Sequence, residues 1–178
     1  WLTLTDNVIE SMPDELGKCT QLQKLMLAGN CLSHLPATLA ACHRLELVRI
    51  AANRFTALPD CLLSLPRLSW LAYAGNPFTE ARELGALAGT RTAGVAWQRL
   101  ELAQQLGEGA SGVIYRARLD GVDDVAVKVF KGAMTSDGLP RSEMAACVGA
   151  GAHVGLIPIL GTLDAHPQGA LGLVMPLI

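Results

Sequence analysis

The sequence predicts two unlike halves: an α/β solenoid over residues 1–78, and an α+β unit over 98–178 with a five-stranded antiparallel sheet plus one helix. Three observations carry this prediction. A 23-residue period runs through the first half. A glycine-rich loop, Gly107 to Gly112, interrupts the second. The residues after that loop, from Val113 to Leu119, are β-branched and aromatic, which is a strand pattern.

The period is read from Asn7, Asn30, Asn53 and Asn76, the chain's only asparagines. Leu2-x-Leu4, Leu25-x-Leu27, Val48-x-Ile50 and Leu71-x-Tyr73 precede them in step, and Ile9, Leu32, Phe55 and Phe78 follow. Met12-Pro13, Leu35-Pro36 and Leu58-Pro59 come next, then Leu16, Leu39 and Leu62, then Cys19, Cys42 and Leu65. The L-x-L element fits a short strand, and the Asn amide suits the bend that ends it. Residues 1–78 resemble the leucine-rich repeat family in about three and a half copies. That resemblance implies a concave partner surface made by Trp1, Lys24, Leu47, Trp70, Thr3, Met26, Arg49 and Ala72. Two readings of its apolar members stay open: anchors for a protein partner, or ordinary scattered surface residues. Cys19 and Cys42 occupy a Leu column and read as small core residues. The alternative, a metal site of Cys31, His34, Cys42 and His43, lacks the usual zinc spacing.

Composition narrows the function classes. Fourteen Lys+Arg against sixteen Asp+Glu give a net charge of -2. This excludes a strongly basic nucleic-acid binder or a polybasic membrane-surface protein. The chain is 51% hydrophobic and only 17% charged, against ~25% charged in an average soluble domain. The uncharged run 144–163 has the length of a bilayer span. Its interior glycines, Pro158 and lack of basic flanks argue against one. Five cysteines without paired spacing, and no signal peptide, fit free thiols in a reducing, cytoplasmic setting.

Between the halves, residues 79–97 read as a linker: a short helix from Thr79 as N-cap through Leu84, then a loop over 89–94. Beyond it lies Gly107-Glu-Gly109-Ala-Ser111-Gly112, a G-x-G-x-x-G, which two kinds of nucleotide-binding fold use. A dinucleotide fold would open a helix next. Here Val113-Ile114-Tyr115 continues as strand, an Asp120-Gly121 turn follows, and Val125-Ala126-Val127-Lys128 forms the next strand. Strand, glycine loop, strand, turn and strand ending on Lys resembles the start of the protein-kinase family. Alternation puts Ala126 and Lys128 on one face and Val125, Val127 and Val129 on the other. Pro140 to Val148 reads as a helix with Glu143 as its one acid. His153-Val-Gly-Leu156 is similar to a family turn but departs at two positions. Segments 156–163 and 170–175 would supply the fourth and fifth strands.

The resemblance implies ATP as ligand, with Leu106, Gly107, Gly109, Ser111, Gly112, Ile114, Ala126, Lys128, Glu143, Met175 and Leu177 around it. Ala126 would roof the adenine, Lys128 reach the α- and β-phosphates, and Glu143 pair with Lys128. Met175 would be the gatekeeper, and 176–178 the start of the hinge. Solvated surface roles for Lys128 and Glu143 are the plain alternatives. Neither H-R-D nor D-F-G occurs in the sequence, so no catalytic residue is assigned. Mg2+ ligands are expected in a missing second lobe. The expectation is therefore a poorly soluble fragment of a protein kinase of the Ser/Thr type, cut at the hinge, with a repeat arm that binds a protein. A non-catalytic scaffold with a degenerate kinase-like half is the alternative.

Overall fold

In the computed structural model, residues 1–89, 93–132, 134–135, 137–151 and 153–178 are described. The loop expected over 89–94 falls, at 90–92, outside the described residues. The chain divides into two compact units, Trp1–Arg82 with Met134–Leu139, and Glu83–Ala133 with Pro140–Ile178. Among the described residues no helix is long and apolar enough to cross a membrane.

The first unit contains four short parallel strands, β1 (Leu2–Thr3), β2 (Lys24–Met26), β3 (Leu47–Arg49) and β4 (Trp70–Ala72), in that order across the sheet. Their register follows the sequence period: Leu2 pairs with Leu25, Leu25 with Val48, and Val48 with Leu71. Leu25, Leu27, Val48 and Ile50 are fully buried, with Leu32, Leu39, Phe55 and Leu62 beneath them. Three asparagines bind adjacent segments together. Asn53 Nδ2 donates to the carbonyls of Leu27 (2.9 Å) and Ile50 (3.2 Å), while its Oδ1 accepts from Leu32 N–H (3.0 Å). Asn30 and Asn76 repeat the same three bonds one period away on either side. Each therefore satisfies backbone groups that the bend would leave buried and unpaired. Asn7 is exposed, and its side chain bonds the Leu4 and Thr5 carbonyls of its own segment.

Between the strands run 3-10 turns at Asp14–Lys18 and Ala37–Ala41 and the four-residue helix α1 (Asp60–Leu63). Each starts after a proline, Pro13, Pro36 or Pro59. Segments this short cannot propagate a stable helix by themselves. Helix α2 (Pro77–Gly89) is longer than the expected 79–84. Thr79 is not its N-cap but sits inside its first turn, where its Oγ1 accepts from Asn76 N–H (3.2 Å).

The second unit is built on six strands: β5 (Ala93–Ala96), β6 (Leu100–Glu108), β7 (Gly112–Leu119), β8 (Asp123–Phe130), β9 (Gly161–Asp164) and β10 (Gly172–Pro176). Their order is β5-β9-β10-β8-β7-β6, with β5 parallel to β9 and all other neighbours antiparallel. The β7–β8 hairpin turns through Asp120 and Gly121, both at positive φ (53° and 73°), as a primed turn demands. One sheet face buries Val95, Leu100, Ala117, Val125, Val127, Leu163 and Val174. The other packs Phe130 and Leu173 against Met144 and Val148 of helix α3 (Pro140–Gly149).

The expected fold class is thus corrected. The chain is a small mixed α/β protein, whose described residues form one four-stranded parallel sheet, one six-stranded mixed sheet and three α-helices. It is not a leucine-rich-repeat solenoid followed by a kinase-like N-lobe with a five-stranded antiparallel sheet. In the second unit the difference is β5, which lies in the stretch read as linker. Val95 is buried there against Leu163, and Gly161 admits the neighbouring strand closely, since a Cβ on it would lie 2.8 Å from Ala93 O. A parallel neighbour needs a long crossover. This one spans the chain from Ala96 to Gly161 and leaves no local pattern.

Candidate functional site

The chemistry-bearing side chains of the second unit gather on the α3 face of its sheet. Cross-strand register places Ile114, Lys128 and Leu173 in one row, and Arg116, Ala126 and Met175 in the next. Leu173 is buried under α3, whereas Ile114, Ala126, Lys128 and Met175 are half-buried. Alternation along β8 also brings Phe130 to this face, where Lys128 Nζ stands 5.0 Å from its ring centroid. Glu143, on the first turn of α3, forms an ion pair with Lys128 through Oε1. The lysine side chain is 17% exposed and the glutamate 37%. A partly desolvated ion pair of this kind fixes a long, flexible lysine in one position.

The loop between β6 and β7 lies at the end of the sheet. Gly107 and Glu108 close β6 opposite Ile114 and Val113, and Gly109 N–H donates to Gly112 O (2.9 Å). Leu106 is the residue left over where the register slips between Gln105 and Gly107. It is exposed. The three glycines differ in what they do. A Cβ on Gly112 would lie 2.5 Å from Val129 O, so this glycine lets β7 approach β8. Gly107 and Gly109 would meet nothing within 4 Å and leave the approach to the loop open. Ser111 O accepts from Lys131 N–H (3.1 Å), and Lys131 Nζ pairs with Glu108 Oε1 (2.6 Å). That pairing, first through its hydrogen bond and then through charge, holds the Glu108 carboxyl below its ordinary range.

Of the residues singled out from sequence, Ile114, Ala126, Lys128, Glu143 and Met175 share this face. Gly107, Gly109, Ser111 and Gly112 form the loop beyond it. Leu177 follows β10 and is half-buried; Leu106 points to no partner in this set. Sequence reasoning passed over Lys131 and Glu108, which clamp the loop, and Phe130, which period-two alternation from Lys128 would have found. It also passed over Cys147, one helical turn from Glu143. Burial raises the Cys147 thiol pKa, with the Glu143 charge adding and the Lys128 charge opposing.

The arrangement offers a fixed cation beside an open glycine turn and a half-buried apolar shelf of Ile114, Ala126 and Met175. Chemically this pairs a positive charge with apolar surface. A divalent ion has no such cradle: among the described residues no three His, Cys, Asp or Glu side chains group to hold one. Cys42, from the alternative set with Cys31, His34 and His43, turns its Sγ to Leu16 O in the core (3.4 Å). The opposite sheet face carries a groove of about 440 Å3 lined by Trp97, Tyr115, Val129 and His166. Lys128 and Glu143 do not line it, so their site is a shelf and not this groove. No protein-family model matches the chain, and no curated protein does.

Proposed function

We propose that the second unit holds the phosphates of ATP against Lys128 as part of phosphoryl transfer to protein hydroxyls, with the first unit as a protein-binding arm. The observation that carries the reading is the Lys128–Glu143 pair beside the β6–β7 loop. An ammonium group has three N–H donors. One is turned to Glu143, and two serve phosphate oxygens. Negative charge spreads over those oxygens during transfer, so a fixed cation there stabilises the transition state. Ala126, Ile114 and Met175 would carry the base. Mg2+ would come bound to the nucleotide, since these residues supply no cluster for it. A general base belongs to motifs that the 178 residues do not contain. The part proposed here is therefore nucleotide holding.

Titration of the chain with a fluorescent ATP analogue and Mg2+ tests this. Lys128→Ala is expected to weaken binding at least tenfold, equal to about 1.4 kcal/mol, and Glu143→Gln by a smaller factor. Affinity unchanged by Lys128→Ala would overturn the assignment. No saturable binding in the unmodified chain would favour a non-catalytic scaffold.

A further inference from the structure

The open face of the four-stranded sheet carries charge of one sign. Its outward strand positions are Trp1, Lys24, Leu47 and Trp70 in one row and Thr3, Met26, Arg49 and Ala72 in the next. They include two cations and no carboxylate. Lys24 Nζ rests 4.1 Å from the Trp1 ring centroid. Arg49 is 19% exposed in its side chain, and its Nε is buried without a hydrogen-bond partner. Its Nη1 reaches only the Met26 thioether, 3.9 Å away.

One carboxylate nevertheless approaches. Residues Met134–Leu139 fold with the first unit, and Asp137 Oδ1 comes within 2.9 Å of Arg49 Nε. The charges attract but the hydrogen bond is misaligned, which leaves the buried Nε without one. The same segment turns tightly: Thr135 N–H donates to Gly138 O (2.9 Å) and Gly138 N–H to Thr135 O (3.1 Å). Gly138 sits at φ 133°, with Ala51 Cβ 3.4 Å from where its own Cβ would be. Gly29 takes the Met134 side chain at a distance that excludes any Cβ.

We propose that this face is a receptor for an acidic peptide turn of the Asp-Gly type, and that Asp137 and Gly138 are its built-in, displaceable occupant. The proposal rests on the reading of this face as a partner surface and supplies the partner's chemistry. A carboxylate presented in a bidentate geometry would give Arg49 the aligned pair of hydrogen bonds that Asp137 leaves unmade at the buried Nε. The exposed Trp1 and Trp70 rings extend the surface for flanking apolar residues. Occupation by the chain's own segment lowers the apparent affinity for a partner by the fraction of molecules in which the face is free.

The test uses the full chain and a labelled free peptide with the sequence of residues 131–141, followed by fluorescence anisotropy. Asp137→Arg sets like charges together and evicts the internal occupant. It is expected to bind the peptide at least tenfold more tightly than the unmodified chain. The same peptide with Asn in place of its Asp is expected to lose that gain. Arg49→Lys, which keeps the charge but not the fork, should weaken binding in the Asp137→Arg background, and circular dichroism checks that each variant is folded. Equal affinity of Asp137→Arg and the unmodified chain would overturn the proposal. So would binding indifferent to the peptide Asp. If binding survives Arg49→Lys but is lost in Trp70→Ala, the acidic-turn proposal fails while the partner surface itself stands.

Discussion

The two sheets specify themselves by opposite means. In the first unit polar groups go inward: Asn30, Asn53, Asn76 and Thr79 are buried. Each of the three asparagines bonds backbone of its own segment and of the one before. In the second unit, among the described residues, only Ser142 is a buried polar side chain. Its polar links are mostly exposed ion pairs instead, Arg99–Asp120, Arg116–Asp124 and Lys131–Glu108, with Lys128–Glu143 partly buried on the sheet face. Buried hydrogen bonds are costly to break and insensitive to solvent, whereas exposed ion pairs are weak and screened. The same chain thus contains one unit defined by side-chain amides and another by surface charge.

The largest expected effect breaks the first unit alone. Asn53→Ala leaves Leu32 N–H buried without its acceptor and should cost about 2–4 kcal/mol in urea unfolding. Asn7→Ala, at the exposed equivalent position, should cost less than about 0.5 kcal/mol. Equal losses would erase the distinction between internal and outer asparagines. Next comes Gly112→Ala in the second unit. Its methyl would collide with Val129 O, for an expected cost of about 1–3 kcal/mol, whereas Gly109→Ala has open space and should be near neutral.

Smaller effects sharpen the contrast through solvent. Raising salt from about 0.01 M to about 1 M shortens the Debye length from ~30 to ~3 Å. The second unit's transition should move to lower urea, and the first unit's should hardly move. Acid acts on the same residues. Hydrogen bonds from their basic partners depress the Asp120 and Asp124 carboxyls, as Lys131 does Glu108. A depressed carboxyl contributes stability above its unfolded value and loses it as pH falls through the folded one. Acid titration followed by circular dichroism should therefore loosen the second unit first. The alkaline edge is shared. Burial raises the thiols of Cys42 and Cys61 in the first unit and Cys147 in the second. Their contribution is complete below the ordinary thiol value and is lost as pH rises past the folded one.

What the sequence shows well is local. The asparagine period anticipates the strand register, because each 23-residue step repeats the same backbone problem and the same amide solution. Alternation along β8 separates Ala126 and Lys128 from the valines, and Pro140 marks the start of α3. What is not visible is any pairing between distant segments. Ala93–Ala96 is too short and small to read as a strand, and only its partner 68 residues on, beginning at Gly161, makes it one. Of the fourth strand expected over 156–163, Leu156, Ile157 and Leu160 are exposed and only Gly161–Asp164 joins the sheet. Apolar composition marked that stretch as strand, while hydrogen-bond partners decided where the strand begins. The Arg49–Asp137 contact is equally hidden, since 88 residues separate its members.

The asparagine bonds also give the first unit a mechanical direction. Every internal Asn grips the segment before it, so pulling from one end should peel the sheet in discrete rungs. Each rung would free 23 residues, a contour gain of about 80 Å at ~3.5 Å per residue. The outer rung, where the Asn7 side chain bonds only its own segment, should yield at the lowest force. A force-extension trace would then read the spacing of four asparagines as a ruler.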